Sequence, residues 1–357
     1  MTLILGLAAC APAGTPSVAA LAKPGSCGGV VKARFDEAGL PARDYYVHVP
    51  CGLTPHDSPA LVMYLHGCNQ NASEAIVQTR WNSFADADQF VVVYPEQFKP
   101  GGTDVNGQVD GNGAQCWNWF RPDDINRGSG EPATLAGIAK RVMKENNVDP
   151  KRVYVMGISA GGAETAVMGA TYPELFAALA IDAGVPYPIG TDATGAVAYQ
   201  TMGEHAHPLP VMVIAGTADE AVPFPVGGVG VTQQWLGTND FIDDGSANGS
   251  VPRTPASTED HGLDAGAVSG LGTVGDTCVG GEASPCPGGV LGFGEYPYSI
   301  WHYVDAAGAS LVDLWIIHGA MHNYVSGDPS VNWSDPLGPD ITKGAWEFFR
   351  AHPRQGG

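Results

Sequence analysis

The stretch Val153–Ala170, VYVMGISAGGAETAVMGA, constrains this chain more than any other. It opens on an apolar run of strand formers, turns through Gly157-Ile-Ser159-Ala-Gly161, and continues as a run of small residues with helical character. A strand that passes through so tight a turn into a helix is a βα unit, and such units build parallel sheets. The rest of the chain keeps the rhythm. Tyr45–Val49 alternates apolar and polar residues, and Leu61–Leu65 and Phe90–Tyr94 are short apolar runs bounded by turn signals. Ala133–Asn146 carries Leu135, Ile138, Ala139, Val142 and Met143 at helical spacing, with Pro132 near its start. Further strands are predicted at Leu179–Ile181, Val211–Ala215 and Leu311–Ile317, and a terminal helix at Ile341–Ala351. Strands alternating with helices imply an α/β fold, a mostly parallel central sheet covered on both faces. Pro225–Pro297 breaks the rhythm with Gly, Asp and Ser and little apolar periodicity. We read about 225–297 as an insertion before the last strand and as a candidate lid.

Composition narrows the partners. Lys+Arg number 17 against 37 Asp+Glu, a net charge of −20. Binding nucleic acid through phosphate neutralisation needs clustered cations, so that class is excluded, as is docking on an anionic membrane through a basic patch. No apolar run approaches the ~18 residues of a spanning helix. Thr2–Ala9 is a short apolar run ending at Cys10, and Leu7-Ala-Ala-Cys10 resembles the lipidation box of bacterial lipoproteins, although the usual basic region before it is missing. Residues 1–23 are therefore expected to be an export signal with a flexible tether, and 24–357 one catalytic domain. Cys10 is the candidate lipidation site and the one route to a membrane; simple secretion is the alternative.

Seven cysteines fit an oxidising compartment, since six remain once Cys10 is set aside. Closeness in sequence favours Cys27–Cys51 and Cys278–Cys286. There is no CxxC pair and no HExxH, so no metal site is supported, and no cofactor is expected. The oxygen-rich stretch Asp104–Asn112 lacks the spacing and terminal Glu of an EF-hand and reads as a solvated loop.

The Gly-x-Ser-x-Gly turn carries the chemistry. Placed between strand and helix it exposes the Ser159 hydroxyl above the sheet edge and aims free helical N–H groups at it. Ser159 is the candidate nucleophile. An acid and then a base must follow in the chain. Asp219, just past Val211–Ala215, is the candidate acid, with Glu220 a near rival and Asp182 a distant one. His322, past the strand ending at Ile317, is the candidate base; His318 and His302 sit earlier, and the remaining histidines outside the early strand turn read as surface or loop residues. An oxyanion hole needs one N–H from the residue after the nucleophile, Ala160, and one from the loop after an early strand. His66-Gly67-Cys68 is that loop, and the Cys68 N–H is the favoured donor. Trp117, Trp119 and Tyr187 are candidate substrate contacts, with Trp117 preferred for the cleft over the even alternative that it belongs to the core.

LHGCNQNA (Leu65–Ala72), the Trp81–Gln97 stretch ending in VYPEQ, CWNWF (Cys116–Phe120), GEPATLAGI (Gly130–Ile138), Asp149–Ala178, GTADEAVP (Gly216–Pro223) and HGAMHNY with DPLGPD (His318–Asp340) occur in this order. Together they resemble the polyhydroxybutyrate depolymerase and feruloyl esterase group of α/β-hydrolases, over roughly Ala33–Pro353. The resemblance implies an α/β-hydrolase fold, the triad Ser159, Asp219 and His322, and a disulfide between Cys68 and Cys116. It implies a secreted or lipid-anchored serine esterase, probed first as a monomer, whose partner is an ester substrate. A hydroxyalkanoate polyester or its oligomers is the first substrate class, and a feruloyl or acetyl ester on plant polysaccharide the alternative. A non-catalytic surface protein on the same scaffold is the rival of another class. The family's His segment usually reads Gly-His-aromatic, whereas here it is Met321-His322-Asn323.

Overall fold

The computed structural model describes residues 28–98, 114–262 and 296–354. The candidate sites Cys10, Cys27, Cys278 and Cys286, the leader, and the Asp104–Asn112 loop lie outside them. Ten strands form one sheet: β1 (Val30–Phe35), β2 (Arg43–His48), β3 (Leu61–Leu65), β4 (Val91–Pro95), β5 (Val153–Ile158), β6 (Ala178–Asp182), β7 (Val211–Gly216), β8 (Ser257–His261), β9 (Tyr298–Val304) and β10 (Ser310–Ile317). Their order is β1-β2-β4-β3-β5-β6-β7-β10-β9-β8. From β4 to β10 every neighbouring pair is parallel, while β1, β2, β8 and β9 are antiparallel margins. The helices are α1 (Ala72–Thr79), α2 (Trp81–Asp88), α3 (Gly130–Glu145), α4 (Ala160–Thr171), α5 (Ala196–Met202), α6 (Val231–Asp244) and α7 (Ile341–Ala351).

The period of two along each central strand divides the apolar residues between two cores. Leu61, Met63, Val153, Val155, Val211 and Val213 face one side, where α3, α4 and α6 cover them through Leu135, Ile138, Val167 and Trp235. Val62, Tyr64, Tyr154, Met156, Met212 and Ile214 face the other, against Trp81 of α2 and Ile341, Trp346 and Phe349 of α7. A sheet buried on both faces needs continuous apolar strands, which is why β3 and β5 are buried along their whole length. Register then lines up strand ends: Leu65 pairs with Gly157, Ile158 with Asp182, and Ile317 with Gly216. The loops that carry Cys68, Ser159, Asp219 and His322 leave from this one carboxyl edge.

The expected insertion is smaller than 225–297. Residues 231–244 form α6, whose Trp235 and Leu236 are fully buried, and 257–261 pair with β9 as an edge strand. Periodicity misses α6 because it also buries polar residues. Gln234 Oε1 accepts from the Tyr187 N–H, Asn239 Oδ1 from Leu209 N, and Asp240 Oδ1 from Val251 N, so the helix anchors three loops with side chains that read as exposed. Residues 263–295, and with them the lid reading, lie outside the described residues. His48 is a second correction: it is buried on β2, with its Nε2 2.8 Å from Asp86.

A charged cluster lies inside the α3 side of the sheet. Fully buried Glu131 accepts from Arg43 Nη2 at 2.8 Å, from the Asn118 N–H at 2.6 Å and from Gln97 Nε2. Burial pushes its carboxyl up to about 7 against the pull of Arg43. Glu164 of α4 is fully buried beside it, and among the described residues neither of its oxygens has a hydrogen-bond partner. Burial, then the Glu131 charge, push the Glu164 carboxyl well above its ordinary value of 4.5.

Two outcomes follow for stability. Trp235→Ala should destabilise the protein by about 3–5 kcal/mol in denaturant unfolding, as for an aromatic cut from a packed core. An unchanged midpoint would return residues 231–244 to the status of a lid. Glu164 keeps its proton after the unfolded chain has lost it, so above pH ~4.5 the fold loses about 1.4 kcal/mol for each further unit until the folded pKa is passed. Glu164→Gln removes that loss. Its Tm should exceed wild type at pH 8, with the gap closing toward pH 5; a lower Tm at pH 8 contradicts a buried protonated carboxyl.

Candidate active site

Ser159 stands between β5 and α4 with φ 58° and ψ −120°. A side chain at positive φ is strained, and the strain is held by close approach of main chain on both sides. A Cβ on Gly157 would lie 2.3 Å from the Gly161 carbonyl oxygen, and one on Gly161 would lie 2.0 Å from that of Leu65. The two glycines let α4 start directly over β3 and β5. The Ser159 N–H donates to the Asp182 carbonyl at 2.9 Å, which fixes the turn to the end of β6.

The structure brings three of the candidate residues into contact. His322 Nε2 is 2.9 Å from Ser159 Oγ, and His322 Nδ1 is 2.7 Å from Asp219 Oδ2. The second Asp219 oxygen accepts from the Ala221 and Val222 N–H groups at 2.9 and 2.8 Å. Asp219 is thus a carboxylate with both oxygens engaged, its side chain only 2% exposed, while His322 is partly open to solvent. With Nδ1–H donating to Asp219, the His322 Nε2 is the lone-pair nitrogen facing the serine hydroxyl. The rivals take other places. Glu220 is exposed. Asp182 is buried, and burial together with the nearby Asp219 charge pushes its carboxyl well above the usual range. His318 Nε2 lies 3.0 Å from Ser299 Oγ, and His302 donates from Nδ1 to Asp313 at 2.8 Å on β9.

The turn after β3 lies against the serine. The nearest side-chain atom of Ser159 is 3.4 Å from where a Cβ on Gly67 would stand. This turn is braced from beneath. His66 is fully buried and its pKa falls to about 4, because burial disfavours its charge. The neutral ring donates from Nδ1 to the Gly67 carbonyl at 2.8 Å and accepts the Gln97 N–H on Nε2 at 3.1 Å. Gln70 Oε1 accepts the Gly67 N–H at 2.8 Å. Cys68 is bonded to Cys116, across 48 residues of chain. The next two residues finish the brace: Trp117 Nε1 donates to the His66 carbonyl at 2.9 Å, and Asn118 hangs on Glu131. As first residue of α4, Ala160 has an N–H with no acceptor inside the helix. Among the described residues the Cys68 N–H has no main-chain acceptor either.

The candidate substrate contacts fare differently. Trp117 is 0% exposed and its one donor is taken by His66, so it supports the turn from the core and offers no face to a cleft. Tyr187 is likewise buried, its hydroxyl donating to the Ile125 carbonyl at 3.0 Å. Both rings are large enough to have been placed in the interior by their area alone. Trp119 is partly exposed, edge-on to Phe120. Cys51 is disulfide-bonded, and its expected partner, Cys27, lies outside the described residues. A cavity of about 800 Å³ lies at the opposite, amino-terminal end of β7 and β10, lined by Pro208, Pro210 and Leu311, and contains none of these residues.

Known proteins match this architecture. Among solved structures, an acetyl xylan esterase from Aspergillus awamori superposes with a TM-score of 0.59 at 18% identity, over 90% of this chain and 99% of that one. The likeness shows the fold, an α/β-hydrolase. In sequence, the chain is 32% identical over 278 residues to poly(3-hydroxyalkanoate) depolymerase C of Paucimonas lemoignei, covering 78% of this chain and 57% of that protein. It is 34% identical over 155 residues to feruloyl esterase B of Neurospora crassa, covering 43% of this chain and 48% of that protein. The chain therefore spans about half the length of these curated relatives. The family model described as esterase PHB depolymerase matches residues 43–232, more than half of the chain and the whole run from β2 through the serine turn to the acid loop. By that match the chain belongs to the esterase PHB depolymerase family.

Proposed function

We propose that this protein is an exported serine carboxylic-ester hydrolase that cleaves hydroxyalkanoate polyesters or their oligomers. The observation that carries the reading is the unbroken relay from Asp219 through His322 to Ser159 Oγ, with contacts of 2.7 and 2.9 Å. Ser159 Oγ attacks the ester carbonyl carbon while His322 Nε2 takes its proton. The carbonyl oxygen gathers the charge and is met by the N–H groups of Ala160 and Cys68. The intermediate collapses, the C–O bond to the alcohol breaks, and the imidazolium returns its proton to the departing oxygen. His322 then takes a proton from a water whose oxygen attacks the acyl carbon; the bond from that carbon to Ser159 Oγ breaks, the imidazolium returns the proton to Oγ, and the acid leaves. Asp219 holds the tautomer and balances the transient imidazolium charge. No step in this sequence needs a cofactor.

Similarity to the Paucimonas depolymerase over most of this chain supports a polyester as substrate. Similarity to the Neurospora feruloyl esterase keeps aryl esters of plant polysaccharide as the second reading. The bonded cysteines support an oxidising compartment. The reading takes residues 24–357 as one catalytic unit that works as a monomer, with residues 1–23 as leader and tether, the protein being either secreted or held at the cell surface through a lipid on Cys10.

On a panel of p-nitrophenyl butyrate, a feruloyl ester and a polyhydroxybutyrate film, Ser159→Ala should lose every activity, and Asp219→Asn should lower kcat by about 10³–10⁴. Ester turnover that survives in Ser159→Ala would remove the serine from the mechanism, and turnover of the feruloyl ester alone would replace the polyester with the second reading. Opening the 68–116 bridge by the double change to Ser should lower kcat roughly tenfold or more with KM little moved, because it loosens an oxyanion donor used in the transition state. A change confined to KM would place that bridge outside the oxyanion site.

A further inference from the structure

Trp333 is 49% exposed and has a φ of 62°. A turn at positive φ ordinarily holds Gly or Asn, and a structural tryptophan ordinarily buries its ring. Trp333 does neither. Such a conformation persists only where neighbours over-determine it, and here they do. Its carbonyl accepts from the Tyr324 N–H at 2.8 Å and from Gln78 Nε2 at 3.0 Å. Both ties lead to the catalytic groups. Tyr324 follows His322 by two residues and, with Val325, forms the short strand β11 (Tyr324–Val325), which pairs in parallel with β12 (Ser334–Asp335). Gln78 is buried and accepts from Gln70 Nε2 at 3.1 Å, and Gln70 in turn holds Gly67 beside Ser159. The main chain of an exposed tryptophan is thereby tied both to the strand that follows His322 and, through Gln78 and Gln70, to the turn after β3. Met321, next to His322 in the chain, is 59% exposed and is a second large apolar side chain open to solvent beside the triad histidine.

We propose that Trp333, with Met321, is the substrate-contacting surface for the aliphatic chain of an extended ester beyond the scissile bond. The proposal rests on the ester-hydrolase reading and adds to it the part of the substrate that the triad does not touch. The indole face is flat and apolar, so it matches methylene and methyl groups and selects for length over functional group. Rigid mounting lowers the ordering cost of binding a flexible chain.

The test measures kcat/KM on p-nitrophenyl acetate, butyrate and octanoate for wild type, Trp333→Ala and Trp333→Phe. Acetate ends at the scissile carbonyl and reports the triad alone. Trp333→Ala should lose roughly tenfold on octanoate and less than twofold on acetate, and Trp333→Phe should recover most of the octanoate rate. An equal loss at all three chain lengths would make Trp333 a support of the histidine loop and overturn the proposal, as would an octanoate rate left at the wild-type level. Absence of Ser159-dependent acetate hydrolysis in the wild type would instead overturn the ester reading, and this proposal with it.

Discussion

One strained residue organises the carboxyl edge of the sheet. Ser159 holds its left-handed conformation because Gly157 and Gly161 leave no Cβ in the path of the main chain around them. That geometry starts α4 immediately over β3 and β5 and places the Ala160 N–H at the head of the helix. It also sets the hydroxyl where a histidine from the β10 side can meet it. The register of the parallel strands does the rest, since Leu65, Gly157, Asp182, Gly216 and Ile317 end together and their loops have only a short way to go.

In the proposed mechanism, the second requirement is that the turn after β3 stay still while charge develops on the ester oxygen. Its support is layered. The Cys68–Cys116 bond ties the turn to the CWN segment, Trp117 and neutral His66 fill the space beneath it, and Glu131 holds Asn118 and Gln97 from inside the core. Burying a carboxylate beside a guanidinium is costly unless every donor finds its place. Here Glu131 has Arg43, Asn118 and Gln97, and Glu164 avoids adding a second charge by keeping its proton.

Much of this was legible in the residues, and the rest was hidden for identifiable reasons. Leu61–Leu65 and Ile341–Ala351 match their elements because a continuous apolar run of strand formers and a 3.6-residue stripe report burial directly. Ser159, Asp219 and His322 stood out because each follows a strand at the carboxyl edge. Helix α6 stayed hidden because Gln234, Asn239 and Asp240 are buried by hydrogen bonds, which hydrophobic patterning does not register. The sequence also left the tryptophans open. Trp117 lies in the core because the His66 carbonyl gives its N–H a buried partner, and Trp333 stands at the rim because of a backbone conformation that no periodicity encodes. A bulky aromatic among Asp328, Pro329, Asn332, Asp335 and Pro336 was the signal of it in the chain.

The most direct measurement of the central claim is a crystal structure of the protein after reaction with diethyl p-nitrophenyl phosphate, whose phosphoryl group mimics a tetrahedral ester intermediate. The account predicts a covalent bond from Ser159 Oγ to phosphorus, with the phosphoryl oxygen accepting from the N–H groups of Cys68 and Ala160 at about 2.7–3.1 Å. A phosphoryl group on any other side chain, or one on Ser159 whose oxygen points away from both amides, would contradict it.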